Sequence, residues 1–168
     1  YIIAENDAGL LLIDQCALHQ RLIYETFVEA IQKNEVPAET FKASLLLELT
    51  PQESVQIEQH IEPLSLSGFA VSPFGGSTFA VNSIPKFLVE DQANKVISAI
   101  LERSSFIGKG GHVEEILRDI ALTVAEFTSI KPEQMLEMAE MECLLAQWEA
   151  LGGPLYSTQN TPFFVEIS

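Results

Sequence analysis

Basic residues are scarce in this sequence. Nine Lys and Arg stand against 24 Asp and Glu, which leaves a net charge of −15 and a pI near 4.4. A duplex-binding surface needs clustered Lys and Arg to replace counterions on phosphates. The deficit therefore argues against strong direct DNA binding and leaves a solvated acidic surface. Cysteine is nearly absent as well. Cys16 and Cys143 lie 127 positions apart and form neither a disulfide framework nor a CxxC pair, a usage that suits a reducing cytosol. No apolar run reaches the roughly 18–20 residues that span a bilayer, so no membrane is expected as a partner. These residues hold no charged-then-apolar signal segment, although a truncated chain could have lost one. The glycines of "FGGS" are followed by neither a Walker Lys nor a helix, and "NDAG" matches no nucleotide site, so both read as turns.

Apolar residues are plentiful. They make up 47% of 168 residues, enough for one domain or two small intimate subdomains with a real core. The sequence opens at Tyr1 without Met and closes on the strand-like "FFVEIS", so both ends are expected to be cuts from a longer protein.

"YIIAENDAGLLLID" is two apolar runs around turn residues, a β-hairpin. The spacing of Leu18, Leu22, Ile23, Phe27 and Ile31 predicts a helix over about 17–33, followed by the polar connector "NEVPAETFKAS". "SLLLELT" is a short strand. Thr50, Pro51 and Glu53 then form a capping box, and Pro63 is expected to end the helix they start. "FAVSPF" and "STFAVNSI" make a second hairpin. Two helices follow at about 90–102 and 113–127, joined by a Gly-rich link. Val96, Ile97, Ile100 and Leu101 face inward on the first, and Ile116, Leu117, Ile120, Ala121 and Val124 on the second. A long helix is expected from Pro132 to about Leu151, and "PFFVEI" closes the chain as a strand. The order is that of a mixed α+β chain.

Several residues have the types that carry chemistry. Asp14, Cys16 and His19 fall within six positions, and a Cys/His pair three apart shares one helix face, so half a zinc site is geometrically available. Completing it requires Cys143, His60 or His112, none of which sits in a paired motif. The competing reading is a buried Cys at a strand–helix junction and a half-exposed helix His. Cys16 as a nucleophile needs a distant His and an orienting Asn or Asp, for which His60 and His112 are the available partners. Met135, Met138 and Met141, with Leu136, Leu144, Leu145 and Trp148, make the last helix apolar on more than one side. It is either centrally buried or part of a subunit interface.

The string "LLLIDQCALHQRLIYE" resembles the C-terminal dimerization domain of the MutL family of DNA mismatch-repair proteins. In that family a strand runs into Asp-Gln-His-Ala, and a helix follows with two spaced Glu. Asp14, Gln15, Ala17 and Glu25 match, whereas Cys16 replaces the motif His and Gln20 the first motif Glu. His19 and Arg21 fit the residues usually flanking that Glu. A second block agrees: Gly68, Phe69, Pro73, Phe74, Gly75, Phe79, Val81, Pro85 and Leu88 follow the family's middle segment, and the likeness covers most of residues 1–125.

The departures bear on chemistry. Where endonuclease-proficient members carry Ala-Cys-Arg or Ala-Cys-Lys, this chain reads "IALTVAEFTSI". Where Cys-Pro-His-Gly-Arg-Pro is expected, it reads "GGPLYSTQNTP". Metal-assisted phosphodiester cleavage needs such ligands to hold the ion and generate hydroxide. Asp14, Gln15, Cys16, Ala17, Gln20 and Glu25 are therefore expected to be vestigial motif positions, with no metal or other cofactor. The family's clamp-binding motif, Gln-x-x-Leu-x-Pro in character, aligns with "ETFKAS" at 39–44, which lacks both the Gln and the Pro and argues against a sliding-clamp contact.

The resemblance implies an α+β, two-lobed fold of hairpins and short sheets packed with helices. The polar connector near 34–43 and the Gly-rich link at 104–111 bracket a middle block, so residues 1–43 and 112–168 are expected to form a dimerization subdomain, with 44–111 inserted as a regulatory-type subdomain. The implied function is a non-catalytic homodimerization module linking ATPase arms outside this chain, acting with other mismatch-repair proteins in the bacterial cytosol, at the nucleoid during repair. Met135, Met138, Leu145 and Trp148 are the candidate interface. The alternatives are a metal-dependent nicking endonuclease rearranged around Asp14, Cys16, His19 and Glu25, and an unrelated α+β binding domain.

Overall fold

The computed structural model describes residues 1–104 and 112–167; the expected Gly-rich link falls almost wholly outside them. Two small antiparallel sheets and five helices make up the described part, a mixed α+β architecture. By internal contacts the chain divides into two units. One joins the chain ends, Tyr1–Thr26 with Thr128–Ser168, and the other is the contiguous Phe27–Phe127.

In the end-formed unit, β1 (Ile2–Asn6) and β2 (Gly9–Ile13) form the expected hairpin, and β6 (Phe164–Ile167) adds to the far side of β2, giving the order β1-β2-β6. The Asn6 side chain accepts from the N–H groups of Ala8 and Gly9 and so closes the turn. Helix α1 (Gln15–Gln32) begins immediately after β2, and α5 (Met138–Ala150) precedes β6. Ile2, Ile13, Leu18, Leu22, Leu144 and Phe163 form the core of this unit. Trp148 packs edge-on to Phe163 at 6.3 Å between ring centres and donates its indole N–H to the Pro154 carbonyl at 2.8 Å, which satisfies its polar end.

The long last helix of the sequence reading is corrected here. It begins at Met138, not Pro132. Gln134 N–H closes a turn onto the Lys131 carbonyl, and the Gln134 carbonyl accepts from the Gln15 side chain at 2.7 Å. A helix started at Pro132 would need that carbonyl for its own ladder. Met135 therefore lies outside the helix.

In the contiguous unit, β3 (Ala38–Glu48), β4 (Ala70–Gly75) and β5 (Thr78–Pro85) form a sheet in the order β3-β5-β4. The strand β3 starts well before the expected residue 44. Ala38, Glu39 and Thr40 pair with Pro85, Ile84 and Ser83, and a register irregularity between Thr40 and Leu45 separates them from the Leu45–Glu48 ladder. The strand thus runs through the expected boundary at 43/44, while the contact units divide inside α1 and near the end of α4. Helix α2 (Pro51–Leu66) has the expected capping box at Thr50 and Glu53. It does not end at Pro63. That residue only removes one ladder donor, and Ser67 N–H and Oγ both donate back to the Pro63 carbonyl to finish the last turn. Helices α3 (Ala93–Ser104), preceded by a single 3-10 turn at Glu90–Gln92, and α4 (Val113–Thr128) bury Val96, Ile97, Ile100, Leu101, Ile116, Ile120, Ala121 and Val124 as the periodicity predicts; Leu117 is only half-buried.

Candidate functional site

The junction between β2 and α1 carries most of the chemically suggestive residues. Asp14 caps the helix: its Oδ1 accepts from the N–H groups of Cys16 at 2.9 Å and Ala17 at 3.0 Å. Its own N–H donates to the Phe163 carbonyl at 2.7 Å. Gln15 is buried and reaches Gln134, as above. The Cys16 thiol is half-buried, and burial followed by the negative charge of Asp14 pushes its pKa up, so it stays a neutral thiol, the opposite of what a nucleophile or metal ligand requires.

One turn further, His19 accepts a hydrogen bond at Nδ1 from the Ile130 N–H at 3.0 Å, and burial lowers its pKa. Gln20 donates from Nε2 to Thr158 Oγ1 at 3.2 Å. Arg21 Nη1 donates to the carbonyls of Tyr156 and Ser157, both at 3.3 Å, while Nη2 pairs with Glu25 one turn along. Arg21 Nε is buried without a partner. The segment these side chains hold is itself closed, with Ser157 N–H donating to the Thr161 carbonyl and Asn160 in a left-handed conformation. Asp14, Gln15, Gln20, Arg21 and Glu25 thus each have a structural partner, and Ala17 supplies a capped N–H and packs against the core cluster.

The remaining candidates are dispersed. His60 is buried on α2 with Nδ1 at 2.6 Å from the Gln56 carbonyl. His112 is exposed. Both belong to the contiguous unit, not that of Cys16. Cys143 is exposed on α5 and accepts from Gln147 at 3.2 Å. Among the described residues no group of three or more His, Cys, Asp or Glu is placed to hold a metal ion, and no helix is long and apolar enough to cross a membrane.

A different surface stands out. On the β1-β2-β6 sheet, Ile2, Leu11, Ile13 and Phe164 face the core, and the alternate residues face solvent. Ile3 pairs with Leu12 and Leu12 with Val165; Leu10 pairs with Ile167. Ile3 is 71% exposed, Val165 60% and Ile167 53%. Glu5, opposite Leu10, is the acidic residue on this outward set. In a chain of net charge −15, an apolar sheet face with a single acid is an exception.

Residues 1–136 match the family described as the MutL C terminal dimerisation domain. The chain belongs to that family. Relatives run the whole length of the sequence. The DNA mismatch repair protein MutL of Mesorhizobium japonicum is 27% identical over 99% of this chain, that of Rhizobium meliloti 28% over 99%, and that of Koribacter versatilis 29% over 100%. The chain spans only about a quarter of each, 26–28% of their length. The mixed α+β fold and the resemblance to the MutL family expected from the sequence are both found.

The four candidate interface residues of this MutL domain are divided between core and surface. Leu145 and Trp148 pack against the core cluster. Met138 is exposed and Met135 is 93% exposed. The outward sheet face was not singled out from the sequence. Its signal is the continuity of "GLLLI" and "FFV": a strand with only one covered face alternates, whereas these runs are apolar on both.

Proposed function

We propose that this domain joins two copies of its parent protein by packing the outward faces of two β1-β2-β6 sheets together. The carrying observation is the outward apolar set of exposed Ile3, Leu10, Val165 and Ile167 around half-buried Leu12, in a domain of a dimerisation family. Burial of such a face is the main favourable term in an obligate interface. A twofold pairing uses the same residues on both copies, so each lost anchor counts twice. The sheet supplies the centre of the contact and not all of it. Three strands about 4.8 Å apart and about 17 Å long cover only about 250 Å² in plan, whereas an obligate dimer buries about 1,000 Å² or more per partner. Met135 and Met138 are exposed apolar residues of the same unit and are proposed as part of the surround.

The dimer would hold together the larger remainder of a mismatch-repair protein, in the cytosol and in the company of other repair proteins. The domain itself is proposed to be non-catalytic. The support is the replacement of the motif His by Cys16 and of the motif Glu by Gln20, the absence from the sequence of both later ligand motifs, and the engagement of Gln20 with Thr158. A clamp contact through 39–44 has no support, since Glu39 and Thr40 are tied into the β5 ladder.

Light scattering on the domain across a dilution series tests the interface. Wild type is expected to be a dimer at micromolar concentration, and Leu10→Glu with Val165→Glu is expected to be monomeric with unchanged far-UV circular dichroism. A monomeric wild type overturns the reading. Dissociation by Met135→Glu and Met138→Glu, with the sheet variant still dimeric, would move the centre of the interface off the sheet.

A further inference from the structure

The strand β6 does little to set its own register. It has four residues, lies at the sheet edge, and among the described residues pairs with β2 alone. Phe164 is half-buried and Val165, Glu166 and Ile167 are exposed, so burial within the strand specifies the pairing weakly. The residue before it is buried, but Phe163 and Phe164 carry the same side chain. A one-residue slip that seats Phe164 in the place of Phe163 keeps an aromatic ring in the core. It also sends every following side chain to the other face. Val165 would then stand opposite Ile13, and Glu166 opposite Leu12, in the outward row that runs on to Ile3.

What separates the two registers lies outside the strand. Helix α1 follows β2 directly, so its first two turns are fixed relative to β2. At this junction Asp14 N–H donates to the Phe163 carbonyl at 2.7 Å, Gln20 Nε2 to Thr158 Oγ1 at 3.2 Å, and Arg21 Nη1 to the Tyr156 and Ser157 carbonyls at 3.3 Å. Glu25 holds the Arg21 guanidinium in turn. Little slack remains between these anchors and β6. Ser157 N–H donates to the Thr161 carbonyl at 2.8 Å, the two hydroxyls share a hydrogen bond of 2.8 Å, and Tyr156 bridges to Pro162. Tying residues 156–158 to α1 therefore fixes where residue 163 meets β2.

We propose that Arg21 is a positioning residue for self-association. By clamping the loop at 156–158 it sets the register of β6, and so keeps Val165 and Ile167 on the outward face and Glu166 off it. The inference rests on the sheet-to-sheet dimer proposed above. In a slipped chain each copy would bring Glu166 into a mainly apolar contact between two chains of net charge −15, and like charges brought together there oppose pairing.

The test reads register and association separately in the full chain. Cross-strand NOEs report register within one copy: Leu12 to Val165 and Leu10 to Ile167 in the native pairing, Leu12 to Glu166 after a slip. Sedimentation equilibrium reports association. Arg21→Met is expected to lose the native NOEs and to raise the dimer dissociation constant roughly tenfold or more, since both copies lose the same anchor. Adding Glu166→Ala to it is expected to restore part of the affinity, because the displaced charge is gone; Glu166→Ala alone is expected to change neither readout. Thr158→Val, which removes the acceptor of Gln20, is the milder variant expected to act in the same direction should Arg21→Met fail to fold. Gly68→Ala, a backbone defect in the other unit, is expected to leave both readouts as in wild type. Native NOEs and native affinity in Arg21→Met overturn the proposal. So does a loss of affinity that Glu166→Ala does not relieve or that Gly68→Ala reproduces, and so do shifted NOEs with undiminished affinity. A monomeric wild type in which Arg21→Met still shifts the NOEs upholds the register role and overturns the dimer on which it rests.

Discussion

The backbone N–H of Ile130 donates to Nδ1 of His19 across a distance of 3.0 Å, so the imidazole proton sits on Nε2 and the ring is held neutral. Protonating Nδ1 would break this bond, and burial already penalises the charged form. The folded-state pKa is thus below the ordinary 6.5. As pH falls through 6.5, the unfolded chain takes up a proton that the folded chain resists, so stability falls until pH reaches the depressed folded value and levels off below it. Thermal melts between pH 7.5 and 5 should show this loss. His19→Asn, which keeps an acceptor and cannot titrate, should have a shallower pH dependence. Identical slopes for the two proteins would mean that His19 is not the group responsible.

Arg21 holds the Tyr156 and Ser157 carbonyls and the Glu25 carboxylate with one guanidinium. Arg21→Met should destabilise the domain by about 1–2 kcal/mol, in the range for hydrogen bonds to a charged group. Arg21→Lys should rescue little of it, because an ammonium lacks the planar fork. Hydrogen exchange at residues 157–161 is the direct readout, and unchanged protection there would count against the arrangement.

Restoring the motif side chains with Cys16→His and Gln20→Glu should not produce Mn²⁺-dependent nicking of supercoiled plasmid. The later ligands are still missing, and His19 remains occupied at Nδ1. Robust cleavage by the double variant would show that fewer ligands suffice.

Gly68 sits after α2 at φ +89°, where an added Cβ would lie 3.2 Å from Pro85 Cα and Val36 Cγ1. Gly68→Ala should cost about 1–3 kcal/mol from backbone strain before any crowding is added. Chemical denaturation measures it. A neutral substitution would mean that the chain relaxes there without penalty.

The legible parts of the sequence were those in which local chemistry decides local structure. Thr50, Pro51 and Glu53 announce α2 without help from the rest of the chain, and both hairpins follow from turn residues between apolar runs. The misread parts depend on distant partners. Thr40 is strand because Ser83 pairs with it, and Pro132 starts no helix because Gln15 takes the Gln134 carbonyl. For the same reason the ligand-like look of Cys16 and His19 misleads at the level of residue types. What His19 does is fixed by Ile130, 111 positions away. The outward sheet face could not be assembled from the sequence, because Leu12 and Val165 become neighbours only when β6 adds to β2.

That pairing has a consequence during synthesis. Within this domain the hairpin of β1 and β2 is synthesised before the rest, yet Leu10 and Leu12 find Ile167 and Val165 only after the whole contiguous unit has been made. Until then Ile2 and Ile13 have no Phe163 or Leu144 to cover them. Closing so long a loop is entropically slow to be rewarded. The nascent domain therefore carries a hairpin that is greasy on both sides until its last strand is made, an interval in which transient exposure of apolar surface favours aggregation.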